Sequence, residues 1–288
     1  MSEPSKAVLI TGCSSGIGRA TALRLGGAGW TVYASARRLD SLQELAAAGL
    51  KTLALDVTDE GSMRAAVQRV TQECGAVGVL INNAGYSQSG AIETVSLEAA
   101  RRQFDTNVFG VVRLTQLVLP GMRAQRWGKI VNVGSMGGKL TFPGGGYYHA
   151  TKHALEAISD ALRFEVRGFG IDVILLEPGL ITTEFGNAAV ASMAQASTPH
   201  DTSDGEDPYA QFNATVSAAT QGAYEGPMRR LGAGPDKVAR TIERALRRRR
   251  PPTRIAITPS AKVTIAMRRM LPDRAWDAAM RQQFPQPS

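Results

Sequence analysis

Short apolar runs alternate with amphipathic segments of helical period along most of this chain. The runs are rich in Val, Ile and Leu, which is typical of strands that are buried in a sheet. They lie at Lys6–Ile10, Thr31–Ala34, Lys51–Leu55, Gly78–Ile81, Lys129–Val133, Ile171–Leu176 and Arg254–Ile257. Strands that alternate with helices form parallel sheets covered on both faces. The pattern therefore predicts an α/β, doubly wound fold around a central, mostly parallel, seven-stranded sheet.

Helical segments connect the strands, and no internal repeat or linker divides the series. They are predicted at Gly16–Ala28, Leu39–Ala48, Glu60–Glu73, Leu97–Met122, Tyr147–Val166 and Asp236–Arg248. A chain of 288 residues can form one large domain. We expect a single domain over residues 1–288.

The alternation breaks over residues 184–234, which are rich in Ala, Ser, Thr, Gly and Pro. Because a connection this long inside a compact domain is usually functional, we expect a mobile substrate lid in this segment. Helices are predicted in the lid from Gln195 onward and over Tyr209–Tyr224. The segment also carries an acidic run, made of Asp201, Asp204, Glu206 and Asp207.

The composition is that of an ordinary globular protein, with 43% hydrophobic and 20% charged residues. The two cysteines, Cys13 and Cys74, have no metal-ligand spacing, so we expect free thiols in a reducing compartment and no metal. No apolar stretch approaches the roughly 18 residues of a membrane span. The first six residues lack the apolar core of a signal peptide. The sequence therefore predicts a cytoplasmic protein without a transmembrane segment.

The formal net charge of +8 raises the question of an acidic partner. Arginines cluster at Arg247–Arg250 and continue into a basic, amphipathic C-terminal extension over residues 259–288, with helical pieces at Ala261–Met270 and Asp273–Gln283. Nucleic-acid sites interleave aromatic residues with their cations, and the arginine run has none. We therefore expect no nucleic-acid binding, and at most a weak peripheral contact with an acidic membrane surface.

A glycine-rich turn follows the first strand and opens the first long helix. It contains Thr11 and Cys13, together with Gly12, Ser14, Ser15, Gly16, Ile17 and Gly18. Glycines let a phosphate approach the backbone closely, and the unpaired N–H groups of a helix N-terminus attract anions. Because the turn has a strand before it and a helix after it, it predicts a dinucleotide site.

The spacing TGxxxGxG resembles the short-chain dehydrogenase/reductase family, and further motifs over roughly the first two thirds of the chain support that resemblance. The family implies a Rossmann-type catalytic domain that transfers hydride between a nicotinamide cofactor and a carbonyl or alcohol. The segment Val32–Arg38 and the long lid are similar to the hydroxysteroid and retinol dehydrogenase branch. This resemblance implies a lipophilic ketone or secondary alcohol as the small-molecule substrate.

Residues at the end of the second strand indicate which nicotinamide cofactor, NAD(H) or NADP(H), the chain binds. Ala36 stands where NAD-binding chains carry an acidic residue, and Arg37 and Arg38 follow it. A guanidinium forms a charge-assisted fork with a 2′-phosphate, which an aspartate would repel. We therefore expect NADP(H) rather than NAD(H).

Other cofactor contacts are implied by the family resemblance. Asp56 and Val57 match an adenine-contacting pair, and the motif Asn82-Asn83-Ala84-Gly85 matches the family's NNAG at the end of the fourth strand. After the sixth strand, Thr183 matches a contact to the nicotinamide carboxamide and Ile181 contributes through its backbone. The remaining matches are Pro178 and Gly179, which precede them.

Four residues match the family's catalytic tetrad, namely Asn107, Ser135, Tyr148 and Lys152. Tyr148 and Lys152 are four residues apart on a predicted helix, so they share one face. Ser135 closes the fifth strand, where doubly wound sheets place their active sites. Tyr147 lies beside Tyr148 but has no lysine four residues further on.

The chemistry of carbonyl reduction needs a proton donor at the oxygen that receives negative charge. A free tyrosine has a pKa of about 10, so we expect the Lys152 ammonium to lower the pKa of Tyr148. The resemblance implies that Lys152 and Tyr148 also contact the nicotinamide ribose, that Ser135 holds the substrate oxygen, and that Asn107 positions a relay water. His149 and His153 are expected on the surface.

Two alternative functions remain open. Basic surface arginines could recruit an acidic carrier protein to a reductase of 3-oxoacyl thioesters. A non-catalytic NADP-binding sensor or scaffold would carry a broken tetrad, whereas this one is intact. The resemblance also implies a homodimer or homotetramer paired through the helices that carry Asn107 and Tyr148.

Overall fold

A computed structural model describes residues 3–196, 208–284 and 286 of the chain. Over these ranges the chain forms a seven-stranded sheet in the order β3-β2-β1-β4-β5-β6-β7, with every neighbouring pair parallel. The strands are β1 Val8–Ile10, β2 Val32–Ala36, β3 Lys51–Ala54, β4 Val79–Asn82, β5 Gly128–Val133, β6 Ile171–Glu177 and β7 Arg254–Ala256. The predicted doubly wound, Rossmann-type sheet is confirmed.

Helices connect the strands and cover both faces of the sheet. They are α1 Gly16–Gly27, α2 Gln43–Ala47, α3 Glu60–Cys74, α4 Leu97–Phe104, α5 Gly110–Ala124, α6 Gly146–Val166, α7 Phe185–Ala196, α8 Ala210–Glu225, α9 Pro235–Arg247, α10 Pro259–Met270 and α11 Asp273–Arg281. Short 3₁₀ turns lie at Leu39–Leu42, Met136–Gly138, Arg167–Phe169 and Pro227–Leu231. Among the described residues, none of these helices has the length and apolar character needed to cross a membrane.

The core has two halves because successive strand residues point to opposite faces of the sheet. Val8 and Ile10 face one side, where they pack with α1 and α9. Leu9 faces the other side, where it packs with residues of α3 and α5. This alternation places a helix layer on each face, as the apolar character of both faces of β1 requires.

Several predicted elements differ from the structure. The helix predicted over Leu39–Ala48 begins as a 3₁₀ turn, and β3 is a partly exposed edge strand rather than a buried one. In the segment expected to form the lid, a helix not predicted from the sequence, α7, covers Phe185–Ala196, and the helix expected from Gln195 onward lies almost entirely outside the described residues. The second lid helix is confirmed as α8. The acidic run of the lid lies outside the described residues.

Candidate active site

The glycine-rich turn is fastened to the end of β4 by side-chain hydrogen bonds. The Thr11 hydroxyl accepts from the backbone N–H groups of Asn83, at 3.0 Å, and Ala84, at 2.9 Å. In return, the Asn83 amide donates to the carbonyl oxygens of Thr11 and Gly12 at 2.9 and 3.0 Å. A Cβ on Gly12 would lie 2.8 Å from Ala84 Cα. The turn and the NNAG segment therefore form one rigid unit at the carboxyl edge of the sheet.

The N-terminus of α1 is arranged to receive an anion. The side chain of its N-cap, Ser15, makes no capping hydrogen bond, and the first turn holds no acidic residue. The first N–H groups of the helix, which lie at the positive end of the helix dipole, are therefore free to bind phosphate oxygens. Thr183 comes from the far side of the cleft, since a Cβ on Gly16 would be 3.4 Å from its methyl group. These features fit a bound dinucleotide pyrophosphate.

The end of β2 presents unpaired positive charge beside this turn. Arg37 and Arg38 are both exposed, and within the described ranges neither forms an ion pair. A guanidinium without a carboxylate partner is free to bind a phosphate bidentately. Asp56, on the neighbouring strand end, accepts from the N–H and the hydroxyl of Thr58, at 2.9 and 2.7 Å, and so shapes the loop that also contains buried Val57.

A ladder of buried amides that the sequence did not reveal supports the middle of the site. The Asn82 amide donates to Asn132 at 2.9 Å and to the Thr115 hydroxyl at 3.3 Å. The Asn132 amide donates in turn to the Ser159 hydroxyl at 2.9 Å. The ladder ties β4 and β5 to α5 and α6. A detectable signal was present, since Asn132 interrupts an apolar strand just before Ser135.

Asn107 lies in a π-helical turn, Asp105–Phe109, which interrupts the single helix predicted over Leu97–Met122. Its side chain is buried and grips the backbone of Tyr86, accepting from the N–H at 3.1 Å and donating to the carbonyl at 2.9 Å. It also donates to the Thr151 hydroxyl on α6 at 3.1 Å. π-turns inside helices often mark functional sites. Asn107 thus links the strand end at Gly85 to the helix that carries Tyr148.

Tyr148 and Lys152 lie one turn apart on α6, where Lys152 is buried and Tyr148 is half-buried. The Lys152 ammonium is 5.7 Å from the centre of the Tyr148 ring and donates to the Val133 carbonyl at 2.9 Å. Ser135 hydrogen-bonds to Tyr148 and accepts from the N–H of Gly137 at 3.0 Å. The structure therefore brings three of the four tetrad side chains into one cluster, while Asn107 approaches through Thr151.

Burial sets the charge states of this cluster. It lowers the pKa of Lys152 to about 8, because a desolvated ammonium is disfavoured. Burial raises the pKa of Tyr148, and this effect is larger than the opposite effect of the hydrogen bond from Ser135, which lowers the pKa. The expected lowering of the Tyr148 pKa by Lys152 is therefore not found in this conformation. The phenol is therefore protonated near neutral pH.

His149 is not a surface residue, which corrects the sequence-based expectation, whereas His153 is exposed as expected. The His149 Nδ1 atom donates to the Gly137 carbonyl at 3.1 Å. Its ring contacts Tyr148 and Phe142, with centroid separations of 5.6 and 5.9 Å. Burial lowers the pKa of His149 to about 4, so the ring is neutral. His149 therefore holds in place the loop that follows Ser135.

The segment after β6 completes the site with support that sequence patterns did not identify. Pro178 accepts from the N–H of Met136 at 2.8 Å. The N–H of Gly179 donates to the Thr258 hydroxyl at 3.1 Å, and Ser260 accepts similarly from Leu180 at 3.2 Å. Ile181 is buried and bridges to Ala233. The two hydroxyls are buried at the start of α10 and fix the path toward Thr183.

Comparisons with known proteins define the class to which this fold and site belong. A family model described as short chain dehydrogenase matches residues 6–194. The chain belongs to the short-chain dehydrogenase family and is an oxidoreductase of the dehydrogenase/reductase type.

Two reductases of known name are similar to this chain over nearly their whole length. The chain is 36% identical to the 3-ketodihydrosphingosine reductase of Bacteroides thetaiotaomicron, over 95% of this chain and 96% of that one. It is 32% identical to the NADPH-dependent 3-dehydrocapnine reductase of Ornithobacterium rhinotracheale, over 93% and 94%.

Solved structures give the same class. A short-chain dehydrogenase from Streptomyces avermitilis has a TM-score of 0.76 at 34% identity, over 98% and 99% of the two chains. A serine dehydrogenase complexed with NADP+ has a TM-score of 0.73 at 28% identity, over 88% and 94%. A short chain dehydrogenase/reductase from Burkholderia phymatum in complex with NAD has a TM-score of 0.76 at 25% identity, over 100% and 98%. Nicotinamide dinucleotides of both kinds therefore occur in proteins of this shape.

Proposed function

We propose that this chain reduces a ketone on a lipophilic molecule with NADPH, or runs the reverse oxidation of the secondary alcohol, with Tyr148 as the proton-transferring residue. The observation that carries the proposal is the cluster of Ser135, Tyr148 and Lys152, of which the lysine is buried, beside a helix N-terminus that can receive an anion. A protonated phenol in such a position can supply the proton that a reduced carbonyl oxygen requires.

The cofactor would be held by groups that follow β1, β2 and β6 and by Lys152 of α6. The N–H groups at the start of α1 would bind the pyrophosphate, and Arg37 would bind the 2′-phosphate with Arg38 beside it. Lys152 would bind the nicotinamide ribose and Thr183 the carboxamide. The bound nicotinamide supplies the hydride, which the side chains of this chain cannot supply.

The side chains of the cluster then divide the proton chemistry among them. The Ser135 hydroxyl, fixed by the N–H of Gly137, donates a hydrogen bond to the substrate oxygen. The Tyr148 hydroxyl transfers its proton to that oxygen as negative charge develops there. The Lys152 ammonium stabilises the resulting phenolate by its charge, and its pKa of about 8 suits it to return a proton.

The lining of the site supports a lipophilic substrate. Phe185 and Tyr224 lie over Tyr148, and Met193 is buried on the inner side of α7. The two related reductases, from Bacteroides and Ornithobacterium, act on compounds whose names give a ketone position, on a sphingosine in one case. We infer that the substrate of this chain is likewise a ketone attached to an apolar chain.

The burial of Tyr148 also supports the proposal that residues 184–234 form a lid within a single domain. Phe185 at the start of α7 covers the phenol, and Gly186 lies against the Tyr224 ring of α8. Movement of these two helices would change the access of a substrate to the Tyr148 hydroxyl. Loops and helices that close over a site commonly open and close during turnover.

The proposed homo-oligomer is supported by exposed apolar side chains on the expected helices. Leu97 on α4, Phe109 in the π-turn and Phe164 on α6 are all exposed. If they form a subunit interface, Phe109→Glu lowers the molar mass measured by light scattering. An unchanged molar mass in that variant would contradict pairing through this face.

The cofactor assignment is tested by fluorescence titration of the purified protein with NADPH and NADH. Replacing Arg37 by Asp is expected to weaken NADPH binding by about tenfold or more and to spare NADH binding, because the phosphate contact becomes repulsive. The matched control is Arg240→Asp, an exposed arginine of α9. Equal binding of both cofactors by the wild type, unaffected by Arg37→Asp, would contradict the assignment.

The substrate assignment is tested by turnover of a series of 3-ketones with increasing alkyl chain length, followed by NADPH absorbance. We expect kcat/KM to rise with chain length until the apolar pocket is filled. A constant or falling kcat/KM along the series would contradict a lipophilic substrate.

A further inference from the structure

Helix α10 carries a row of exposed apolar side chains on its outer side. Val263, Met267 and Met270 are 52%, 41% and 75% exposed. Their spacing of four and three residues places them on one face of the helix. On the opposite face Ala261 and Ile265 are buried. The outer row therefore lies outside the core cluster that holds Ala261 and Ile265, and exposed apolar groups that lie together often mark an interaction site.

Positive charge borders this row. Lys262 and Arg269 are exposed on α10 itself, and Arg274 and Arg281 are exposed on α11. Asp273 is paired with Arg268, which lies on the inner side over the Trp276 ring. Helices that combine an apolar face with basic flanks are suited to the interface of an anionic bilayer.

The row lies at the catalytic end of the molecule. Helix α10 follows the carboxyl edge of β7, and its Ser260 hydroxyl accepts from the backbone just before the lid. A chain of ring contacts leads from α11 to the site: Trp276 to Phe142 at 6.3 Å, Phe142 to His149 at 5.9 Å, and His149 to Tyr148 at 5.6 Å. A surface held by α10 would therefore lie at the same edge of the sheet as Tyr148.

We propose that α10 docks this protein onto an anionic lipid bilayer, with Val263, Met267 and Met270 entering the interface. Lys262 and Arg269 then contact the lipid headgroups, and Arg274 and Arg281 add longer-range attraction. Membrane docking is a separate property from the proposed ketone reduction, and it can be measured without turnover. It also explains how a lipophilic ketone would reach the lid directly from the bilayer.

A second copy of the chain is a poorer occupant of this face. A two-fold interface brings the same patch of both subunits together, so Lys262 and Arg269 would face like charges. Stable protein interfaces bury about 800 Å² per partner with roughly 20–30 residues a side. The row of three side chains is far smaller. An anionic surface, in contrast, complements both the charge and the small apolar area.

The basic groove at the other end of the molecule provides an internal control. Arg249 and Arg250 line it together with Trp30, Trp127 and Lys129, next to the amino ends of the strands. A bilayer bound there would lie at the amino edge of the sheet, whereas Tyr148 lies at the carboxyl edge. Charge changes at the two ends therefore distinguish the two orientations.

The test is co-sedimentation of the full chain with phosphatidylcholine vesicles, with and without phosphatidylglycerol. The wild type is expected to partition about tenfold more strongly onto the mixed vesicles. Both Met267→Gln/Met270→Gln and Lys262→Glu/Arg269→Glu are expected to lose about tenfold in partitioning. Arg249→Glu/Arg250→Glu and Phe169→Ser, an exposed aromatic in the 3₁₀ turn after α6, should bind as the wild type does. NADPH binding verifies that each variant is folded.

Three outcomes would overturn the proposal. The wild type could show no preference for the anionic vesicles at low salt. Binding could be lost in the Arg249/Arg250 variant and kept in both α10 variants, which would assign docking to the basic groove. Finally, the Met267/Met270 variant could lose molar mass in light scattering while its vesicle binding stays unchanged, which would assign the face to a second copy. None of these outcomes depends on the identity of the substrate or on turnover.

Discussion

The ring of Phe185 lies against the ring of Tyr148, with their centroids 5.5 Å apart and their planes inclined by 56°. Phe185 is the first residue of α7, so the lid and the proposed proton donor are in direct contact. Burial raises the pKa of Tyr148, and the Phe185 ring forms part of the apolar surroundings that desolvate the phenol. If residues 184–234 act as the proposed lid, their movement changes both access to the site and the pKa of Tyr148.

Replacement of Phe185 by Ala should uncouple these two roles. Loss of the ring lets water reach Tyr148, so the pKa of the phenol should fall toward the ordinary value of about 10. The lost apolar contact should also lower kcat/KM for a lipophilic ketone by about tenfold. The first effect is measured by ultraviolet titration of tyrosinate, with Tyr148→Phe identifying the Tyr148 signal.

Phe169→Ala serves as the control, because Phe169 lies in the 3₁₀ turn after α6 and is partly exposed. It should change neither quantity. A tyrosinate titration that is the same in wild type and Phe185→Ala would show that the lid does not set the pKa of Tyr148.

A buried carboxyl pair below the site should make stability depend on pH. Glu177 at the end of β6 is buried, and burial together with the charge of Glu156 raises its pKa to about 7. Lys139 and Arg254 pair with Glu156, and Arg254 also bonds to Asp160. These two cations therefore face three carboxyl groups, those of Glu156, Asp160 and Glu177, and cannot neutralise all three.

The direction of this pH dependence follows from linkage. The folded-state pKa of Glu177 lies above the unfolded value of about 4.5, so its contribution to stability is complete below that value. The contribution is lost as pH rises through about 7. Glu177→Gln cannot ionise, so its Tm at pH 8 should exceed that of the wild type by about 2–4 °C. At pH 5 the difference should largely vanish.

The measurement is a thermal unfolding series between these pH values. Glu165→Gln, which changes an exposed carboxylate on α6, should not alter the slope of Tm against pH. A wild-type slope that Glu177→Gln leaves intact would assign the pH dependence to other groups.

The amide ladder should be a measurable source of stability. Asn132→Ala removes the acceptor of Asn82 and leaves the Ser159 hydroxyl without its donor. Buried polar groups left without partners cost about 1–3 kcal/mol, so the free energy of unfolding should fall by about that much per orphaned group. Urea denaturation measures the loss. Thr115→Val removes only the longer contact at 3.3 Å and should cost less; an equal or larger cost would show that Asn132 is not the main support of the ladder.

The parts of this structure that sequence could predict are those with local signals. The apolar runs gave the strands to within one or two residues, because strand burial depends on side chains within the run. The phosphate-binding turn from Gly12 to Gly18 could also be predicted, because its glycines lie close together in the sequence and their spacing is a local signal. Tyr148 and Lys152 share a helix, so their proximity also follows from spacing alone.

The parts that could not be predicted depend on distant contacts. The π-turn at Asn107 needs Tyr86, which lies 21 residues earlier. The burial of His149 depends on the loop at Gly137 and on Phe142, and both must first be placed by the sheet. The hydroxyls of Thr258 and Ser260 reach Gly179 and Leu180 from about 80 residues further along the chain. Helical period alone cannot reveal these contacts.

The central claim, that Tyr148 transfers the proton, is tested most directly by comparing Tyr148→Phe with Tyr147→Phe. The two variants remove the same hydroxyl from adjacent residues of α6. NADPH oxidation is followed in single turnovers with a saturating lipophilic ketone, after fluorescence titration has shown that both variants still bind NADPH. We predict that Tyr148→Phe slows the reduction by about 10²–10⁴-fold while Tyr147→Phe stays near the wild-type rate. A Tyr148→Phe rate close to that of the wild type, with NADPH binding intact, would contradict this role for Tyr148.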